Sequence, residues 1–276
     1  MEFSPFNPIH FYKSGADDNG IAKGYTHIFA PSDYIIFEVL HGVDETPRRL
    51  QLSNAQSGEL LMDLSWNTYS INATQCVSFY EFRGLEAGEY ILTFGKWIST
   101  PICVTDDLEI LRNTILFQYS LSWNDARSDV YAKINGRLRY FEMRLYGGFK
   151  DSSWAFSVDN EQFETDKADI VELSSVETTE KDLTVGKSSG YPTWVGEKLS
   201  HILACELIYI DGHRYSFVGN KDIFEVSNEA DDYRFTYIVT MRQAKYVNAA
   251  FEREIQSLFR KIPANLRKVG NQLRKI

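Results

Sequence analysis

Two dipeptides constrain the fold of this 276-residue chain more than any other feature, because each lies between two strand-like stretches. They are Asn135-Gly136 and Asp211-Gly212. Asn-Gly and Asp-Gly readily take the positive φ angles of a type I′ turn, which joins two antiparallel strands through only two residues. The flanking stretches are 129–134 and 137–141 around the first dipeptide, and 206–210 and 213–217 around the second. Two tight β-hairpins are therefore predicted in the second half of the chain.

The first half carries β-branched and aromatic stretches at intervals of roughly ten residues, a spacing typical of a β-sandwich. They are residues 34–40, 59–64, 76–82, 88–95 and 101–105. Aromatic residues, which favour strands, make up 14% of the chain and strengthen this reading. The stretch from Gly84 to Leu92 resembles a late hairpin of immunoglobulin-like domains. Residues 26–107 are accordingly predicted to form an immunoglobulin-like β-sandwich.

The second half is predicted to be a β-rich domain with one inserted helix. Its last strand, 233–241, alternates apolar and polar residues with a period of two. The helix is indicated by Pro192, a residue suited to a first helical turn, followed by apolar residues at helical spacing. Those residues are Val195, Leu199, Ile202 and Leu203. A helix packed on one sheet face predicts an α+β or helix-capped barrel arrangement.

The predicted fold class is therefore mainly β, with a β-sandwich, a helix-capped β-rich domain and a C-terminal amphipathic helix. Prolines and glycines interrupt any periodicity near the N-terminus. Asp106-Asp107 begins an acidic stretch that suggests a boundary. The predicted regions are an irregular N-terminal arm (1–25), the sandwich (26–107), the β-rich domain (108–243) and a basic amphipathic helical tail (244–276).

Charge separates the tail from the rest of the chain. Nine basic and two acidic residues give residues 242–276 a charge of about +7. Since the whole chain carries −9, residues 1–241 carry about −16. Pro263 divides the tail into two short apolar stripes, as expected of a broken or kinked helix.

The tail is predicted to dock on a protein. Nucleic acid and an anionic membrane are alternative partners for a basic helix, but the acidic body would repel both. A solvated helix folded back on the acidic body is a further alternative. The partner would be another protein or a neighbouring copy, and exchange between copies would build a ring or a chain. The predicted docking residues are Phe251, Ile255, Leu258, Phe259, Ile262, Leu266, Val269 and Leu273, with Arg260, Lys261, Arg267 and Lys268.

No catalytic or metal-binding motif is present in the sequence. The five histidines lack the HExxH spacing, and there is no nucleophile elbow, phosphate-binding loop or dinucleotide-binding turn. Carboxylates are plentiful, but sequence does not give the separation that would make two of them a glycosidase pair. We therefore expect no enzymatic activity, no cofactor and no metal, and a small-molecule ligand is not expected.

Cysteines and tryptophans are predicted to be structural. Cys76, Cys103 and Cys205 are far apart and flanked by apolar residues, which favours buried free thiols over a Cys76–Cys103 disulfide or a metal site. Trp154 and Trp194 are expected in the core. No secretory leader or membrane-spanning run is visible, so a reducing compartment, or release by lysis, is expected.

Four stretches resemble tail-module proteins of phages and prophages of gut Bacteroidetes, within a region from about Thr114 to Gln243. They are residues 147–163, 169–173, 190–199 and 209–215. The resemblance implies a structural component of a virion or of a related injection particle, similar to distal-tail or baseplate-ring subunits. It carries no functional residues over to this chain.

The resulting expectation is a non-enzymatic structural protein of a phage tail: a ring, collar or baseplate subunit that acts through protein–protein contacts. It would be made in the bacterial host cytoplasm and assembled into the virion, with other tail or connector proteins and copies of itself as partners. One alternative is a carbohydrate- or receptor-binding β-sandwich protein, and a second is a glycan-cleaving enzyme.

Overall fold

The structure is a computed structural model that describes residues 1–13, 25–122, 129–150, 154–164, 170–186, 190–218, 225–228 and 234–248. It is mainly β, with 57% strand and 8% helix, which confirms the predicted fold class. The predicted helical tail lies almost entirely outside the described residues, since only its first five positions are among them.

The N-terminal half forms a β-sandwich. Its strands are β1 (Glu2–Phe3), β2 (Phe11–Lys13), β3 (His27–Phe29), β4 (Ile35–Gly42), β5 (Leu50–Asn54), β6 (Leu60–Leu64), β7 (Asn67–Ser70), β8 (Gln75–Phe82), β9 (Gly88–Phe94), β10 (Trp97–Ser99) and β11 (Ile102–Val104). One sheet has the order β1-β4-β8-β7, and the other has the order β2-β10-β9-β11-β3, with β5 paired to β9 and β6 paired to β5.

Buried side chains from both sheets meet in one core. Phe37 and Val39 on β4 pack with Leu50 on β5 and with Leu92 and Phe94 on β9. Their alternation along each strand places every second residue inside, as the apolar pattern of these stretches predicts. This contact between two sheets is what makes the unit a sandwich.

The C-terminal half contains a short helix α1 (Leu108–Arg112) and a second group of strands. The strands are β12 (Thr114–Ser120), β13 (Lys133–Ile134), β14 (Arg137–Leu138), β15 (Phe141–Phe149), β16 (Ala155–Glu164), β17 (Ile170–Val185), β18 (Tyr191–Pro192), β19 (Leu207–Ile210), β20 (His213–Phe217), β21 (Glu225–Asn228) and β22 (Arg234–Asn248). The helix α2 (Thr193–Leu203) follows β18.

The main sheet of this half closes on itself. Its order is β16-β17-β15-β12-β19-β20-β22-β18, and a further pairing joins β17 to β22. The strands β17, β15, β12, β19, β20 and β22 therefore form a closed barrel, which removes the open edges of those strands where they pair. The buried residues Phe117, Met143, Leu183, Ile208 and Met241, one from each of five barrel strands, lie in one core cluster.

Helix α2 packs against this core as the sequence predicted. Val195, Leu199, Ile202 and Leu203 are all buried in the barrel cluster. Pro192 lies at the N-cap position, one residue before its predicted first-turn position. Its fixed φ suits the extended conformation there equally well.

Both predicted turns are present, but the strands of the first hairpin are only two residues long each, shorter than the predicted 129–134 and 137–141. Asn135 and Gly136 have φ values of 49° and 72°, and Asp211 and Gly212 have values of 49° and 79°. The first turn joins β13 to β14, and the second joins β19 to β20. Positive φ at both central positions is the signature of the type I′ turn that these dipeptides favour.

Two ends differ from the sequence prediction. The first 13 residues include strands β1 and β2, and Phe6 between them is buried in the barrel core against Tyr119 and Phe141. At the other end, β22 continues to Asn248, so the predicted helical tail is wrong for residues 244–248, which lie in a strand.

Candidate functional site

All the predicted docking residues lie outside the described residues. They are Phe251, Ile255, Leu258, Phe259, Arg260, Lys261, Ile262, Leu266, Arg267, Lys268, Val269 and Leu273. The described part of the chain nevertheless contains three surfaces that bear on function. They are a ribbon projecting from the barrel, an apolar edge strand on the sandwich, and a cleft between the sandwich and the barrel.

The projecting ribbon consists of β16 and residues 170–180 of β17. The two strands pair from Ala155↔Glu180 to Glu164↔Ile170. Their barrel neighbours reach this region only at its base, because β15 pairs β17 at 183–185 and β22 pairs it at 180–185. Ten residue pairs at about 3.3 Å each give the ribbon a length of roughly 30 Å.

An exposed apolar row lies at the start of the ribbon's first strand, beside Thr179 and Glu177 of β17 on the same face. Trp154, Phe156 and Val158 are 41%, 72% and 53% exposed. Strand alternation and register place them on the same face as Lys181 and Leu183, and Leu183 belongs to the barrel core. This face of the ribbon thus continues the inner face of the barrel, but the described residues leave it exposed to solvent.

Trp154 corrects a prediction made from the sequence. The alternating stretch 154–158 predicted a core strand, but Trp154 is exposed at the ribbon base, where the Lys181 ammonium lies 3.6 Å from the centre of its ring. The alternation identified the strand correctly. It did not reveal that the strand extends beyond the core, because pairing register is not visible in a local pattern.

The ribbon sequence is acidic. Residues 154–180 contain eight carboxylates and one lysine, a net charge of −7. At its base, Arg242 on β22 donates through Nη2 and Nε to Glu180 Oε1, at 2.7 and 3.1 Å. Strand β22 is therefore linked to the base of the ribbon by an ion pair.

The second surface is strand β6, at the edge of the sandwich. Among the described residues it pairs only with β5. Leu60, Leu61 and Met62 are consecutive and are 51%, 43% and 46% exposed. Edge strands in monomeric proteins are usually protected by charge, proline or a bulge. β6 has a charge at Asp63 and a register shift at Leu61, which lies between the pairs Leu52↔Met62 and Ser53↔Leu60. Its three exposed apolar residues in a row still favour a contact with another chain.

The third surface is a cleft of 1170 Å³ between the sandwich and the barrel. Tyr34, Phe79 and Arg83 line its sandwich side, and Arg137 and Glu142 line the other. The Arg83 guanidinium lies 4.3 Å from the centre of the Tyr34 ring. Aromatic faces beside mixed charges and amides make the cleft suitable for a polar ligand.

Glu142 is buried in the cleft wall and is held by two hydrogen bonds. Its Oε2 accepts from Tyr34 N and its Oε1 accepts from Gln118 Nε2, both at 2.6 Å. Glu81 lines the same cleft, so two carboxylates are present, as a glycan-cleaving enzyme requires. The bonds to Glu142 favour a structural role, because they hold both of its carboxylate oxygens in place.

Arg139 closes the back of the cleft. Its Nη2 donates to Glu38 Oε2 and to the Tyr131 carbonyl, and its guanidinium stacks 4.5 Å from the centre of the Phe79 ring. Burial raises the pKa of the Glu38 carboxyl, and the adjacent Arg139 opposes that shift. Two guanidinium nitrogens of Arg139, Nε and Nη1, have no hydrogen-bond partner among the described protein atoms.

A smaller cavity of 250 Å³ lies where the N-terminal residues meet α2. Lys198 lines it and donates from Nζ to the Asn7 carbonyl at 2.5 Å and to the Pro5 carbonyl at 3.5 Å. Burial lowers the pKa of Lys198 to about 8. The His10 ring stacks on Trp194 with centroids 4.5 Å apart, so Trp194 is partly buried beside the core, close to its predicted place.

No group of three or more histidine, cysteine or acidic side chains is placed to hold a metal ion in the described residues. The three cysteines are free, with Cys76 and Cys205 buried and Cys103 partly exposed. None of the described helices is both long and apolar enough to cross a membrane.

Comparison with known proteins adds little. No protein-family model matches the chain, and no curated protein matches it. Among solved structures, one match is the crystal structure of Dpr2 Ig1-Ig2 in complex with DIP-Theta Ig1-Ig3. It has 6% sequence identity, covers 80% of this chain and 88% of that chain, and has a TM-score of 0.18. A likeness of this size supports no statement about fold or function.

Proposed function

We propose that this protein is a non-enzymatic structural subunit of a phage tail, in a ring, collar or baseplate. It acts through contacts with neighbouring tail proteins and with copies of itself. The resemblance of residues 114–243 to tail-module proteins supplies the kind of particle. The exposed apolar edge among the described residues supports contacts with other proteins.

The observation that carries the proposal is the edge strand β6. Its free edge offers unpaired backbone N–H and C=O groups beside Leu60, Leu61 and Met62. An extended strand of a neighbouring subunit would satisfy those groups and cover the apolar side chains at the same time. Within β6, Asp63 is the one charged residue and the register shift at Leu61 is the one irregularity, so the strand is only partly protected against such pairing.

The closed barrel and its buried contacts with the sandwich suit a structural subunit. The closed barrel leaves few open strand edges, and the sandwich is joined to it by buried ion pairs and by the packing of Phe6. A body that exposes an apolar strand edge on one side has the features of a subunit that assembles in a fixed orientation.

The test is incorporation into particles. Phage particles are purified by density gradient from the bacterium that encodes the chain, and the protein is quantified by mass spectrometry. The wild-type chain should be present at a constant ratio to the other particle proteins. A Leu61→Lys variant should be incorporated about tenfold less, the effect of losing ~1.4 kcal/mol of binding free energy.

Val43→Lys is the matched control, because Val43 is also exposed but lies outside β6. It should be incorporated like the wild type, and circular dichroism should show that both variants fold. Absence of the wild-type chain from the particles would refute the proposed function. Equal loss of both variants would exclude β6 as the contact.

The cleft supports a second candidate function, saccharide binding. Asn67 and Asn135 line it together with the aromatic rings of Tyr34 and Phe79, and stacking beside amides is the usual way a sugar is held. Glycan-array binding by the wild type that is lost in Tyr34→Ala but kept in Tyr12→Ala would support it, since Tyr12 does not line the cleft. An array without binding would count against it.

A further inference from the structure

Helix α2 directs a polar side towards the N-terminal residues. Trp194, Lys198 and His201 follow one another at helical spacing, so they lie on the same side of the helix. All three line the cavity of 250 Å³ that residues between Phe3 and Phe11 close from the opposite side. An amine, an imidazole and an indole therefore line one small cavity that is partly open to solvent.

Two backbone carbonyl groups hold the Lys198 amine. Nζ donates to Asn7 O at 2.5 Å and makes a longer contact with Pro5 O at 3.5 Å. The ammonium has three N–H donors, and the described residues give it these two acceptors. Loss of the third proton would keep both contacts and leave a lone pair directed away from the carbonyl groups. Burial favours that loss, because it lowers the pKa of Lys198 to about 8.

The charges beside the amine favour an anion in the place of the ammonium. Burial lowers the pKa of His27, and the charges of His10 and Lys198 lower it further, so positive groups repel one another here. His10 and His201 both line the cavity. Among the described residues that line it, Glu197 is the one acidic side chain, and it is exposed. An anion attached to Lys198 would remove the repulsion and lie beside side chains that can carry positive charge.

The cavity lining also includes a donor that such an anion can use. The indole Nε1 of Trp194 is buried and has no hydrogen-bond partner among the described protein atoms, whereas a buried indole N–H usually has one. Trp194 precedes Lys198 by one helical turn, the spacing at which helix side chains meet. A carboxylate group on Nζ would bring an acceptor to the same side of α2 as this N–H group.

We propose that Lys198 is a site of reversible modification by carbon dioxide. The lone pair on Nζ forms a bond to the carbon of CO₂, the electrons of one C–O π bond move to oxygen, and the nitrogen releases a proton to water. The balanced reaction is R–NH₂ + CO₂ → R–NH–CO₂⁻ + H⁺, without a change of oxidation state. The carbamate keeps one N–H for the shorter bond to Asn7 O, and its oxygens accept from Trp194 Nε1.

Carbon dioxide fits this site better than a larger carbonyl compound. An aldehyde would form an imine, whose nitrogen has no hydrogen to donate to Asn7 O or Pro5 O. A neutral imine also lacks the negative charge that the neighbouring histidines favour. The modification would exchange the long contact with Pro5 for one with Trp194, and it does not depend on the protein being part of a phage tail.

The test is incubation of the full chain with ¹³C-labelled bicarbonate at about pH 8, followed by alkylation of carbamates with triethyloxonium and peptide mass spectrometry. At this pH about half of the Lys198 amines are neutral, against about 0.4% for an ordinary lysine. Label on the Lys198 peptide should exceed that on the peptide of the exposed Lys96 at least about tenfold. In urea-unfolded protein the two peptides should be labelled equally. The N-terminal amine, which also reacts, is read on its own peptide.

The matched variants change one indole each. Trp194→Phe keeps an aromatic ring and removes the N–H group, so it should lower labelling of Lys198 about fivefold. Trp97→Phe should leave it unchanged, because Trp97 lies on β10 outside this cavity. Circular dichroism should show that both variants fold. Labelling of Lys198 no greater than that of Lys96 in the folded wild type would overturn the proposal, and so would equal labelling of Trp194→Phe and wild type. Neither outcome affects the particle-incorporation test of the proposed function.

Discussion

Arg144 on the barrel forms a two-bond ion pair with Asp33 on the sandwich. Nε donates to Oδ2 and Nη2 donates to Oδ1, each at 2.7 Å, and both side chains are largely buried. Asp33 Oδ2 also accepts from Ala30 N at 2.8 Å, while Arg144 Nη1 donates to Thr114 Oγ1 at 3.1 Å. The two halves of the molecule are thus joined through a satisfied polar network rather than by apolar packing alone.

Asp33→Ala is expected to lower the free energy of unfolding by about 3–5 kcal/mol, because it leaves the Arg144 guanidinium buried without its counter-charge. Urea denaturation followed by tryptophan fluorescence measures this. Asp63→Ala is the control, since Asp63 pairs with Arg49 at 3.4 Å on the exposed surface and such a pair contributes about 0–1 kcal/mol. Similar losses in the two variants would contradict a stabilising role for the junction pair.

Gly196 permits the close approach of helix α2 to strand β22. A Cβ at this position would lie 2.7 Å from ring atoms of Tyr237, which is itself buried. Gly196→Ala should therefore destabilise the protein by about 1–3 kcal/mol, although alanine is the better helix former. Gly148→Ala serves as the control, because a Cβ there meets nothing within 4 Å. Thermal unfolding of both variants gives the comparison, and an equally stable Gly196→Ala would disprove the steric argument.

Local signals predicted local structure well. The Asn-Gly and Asp-Gly turns and the apolar spacing of α2 depend on neighbouring residues, and the structure contains all three. The tight turn requires positive φ, and helical spacing requires a buried side. Neither requirement depends on distant parts of the chain, which is why the sequence alone was sufficient.

Features that depend on long-range pairing were missed. Strand β1 has two residues and pairs with β4, more than thirty positions away, so no local period identifies it. Closure of the barrel depends on pairing between β17 and β22. The exposure of Phe156 follows from where that pairing ends, whereas the sequence shows only an alternating strand.

His27 is expected to make the fold sensitive to acid. It is buried, and burial lowers its pKa well below the usual range, with additional effects from His10 and Lys198. Its Nε2 accepts from His10 N at 3.1 Å, a bond that requires the ring nitrogen to be unprotonated. In the unfolded chain the same side chain takes up a proton near pH 6.5. The unfolded state then binds more protons, so stability should fall as the pH decreases below about 6.5.

The His27→Gln substitution keeps a hydrogen-bond acceptor for His10 N and removes the imidazole that takes up a proton. Its unfolding free energy should depend less steeply on pH between about 6.5 and 5 than that of the wild type, whatever its absolute stability. The exposed His213 provides the control, and His213→Gln should keep the wild-type slope. Chemical denaturation at several pH values gives the slopes, and parallel profiles for wild type and His27→Gln would exclude His27 as the source.

Lys198 should affect the stability of the fold in the alkaline range. Burial lowers its pKa to about 8 in the folded protein, whereas the unfolded chain retains the proton up to about pH 10.4. Between these values the unfolded state binds more protons, so this group makes stability rise with pH, by at most about 1.4 kcal/mol per unit. Lys198→Met should lose that rise.

The measurement is the difference in unfolding free energy between wild type and Lys198→Met from pH 7 to pH 9.5. Buried tyrosines with raised pKa values, such as Tyr25 and Tyr119, lower the stability of the fold only at higher pH. They are present in both proteins, so their effect cancels in the difference. Lys96→Met, at an exposed position, should behave like the wild type. A difference in unfolding free energy that stays constant across this range would show that burial does not lower the pKa of Lys198, and would contradict the prediction.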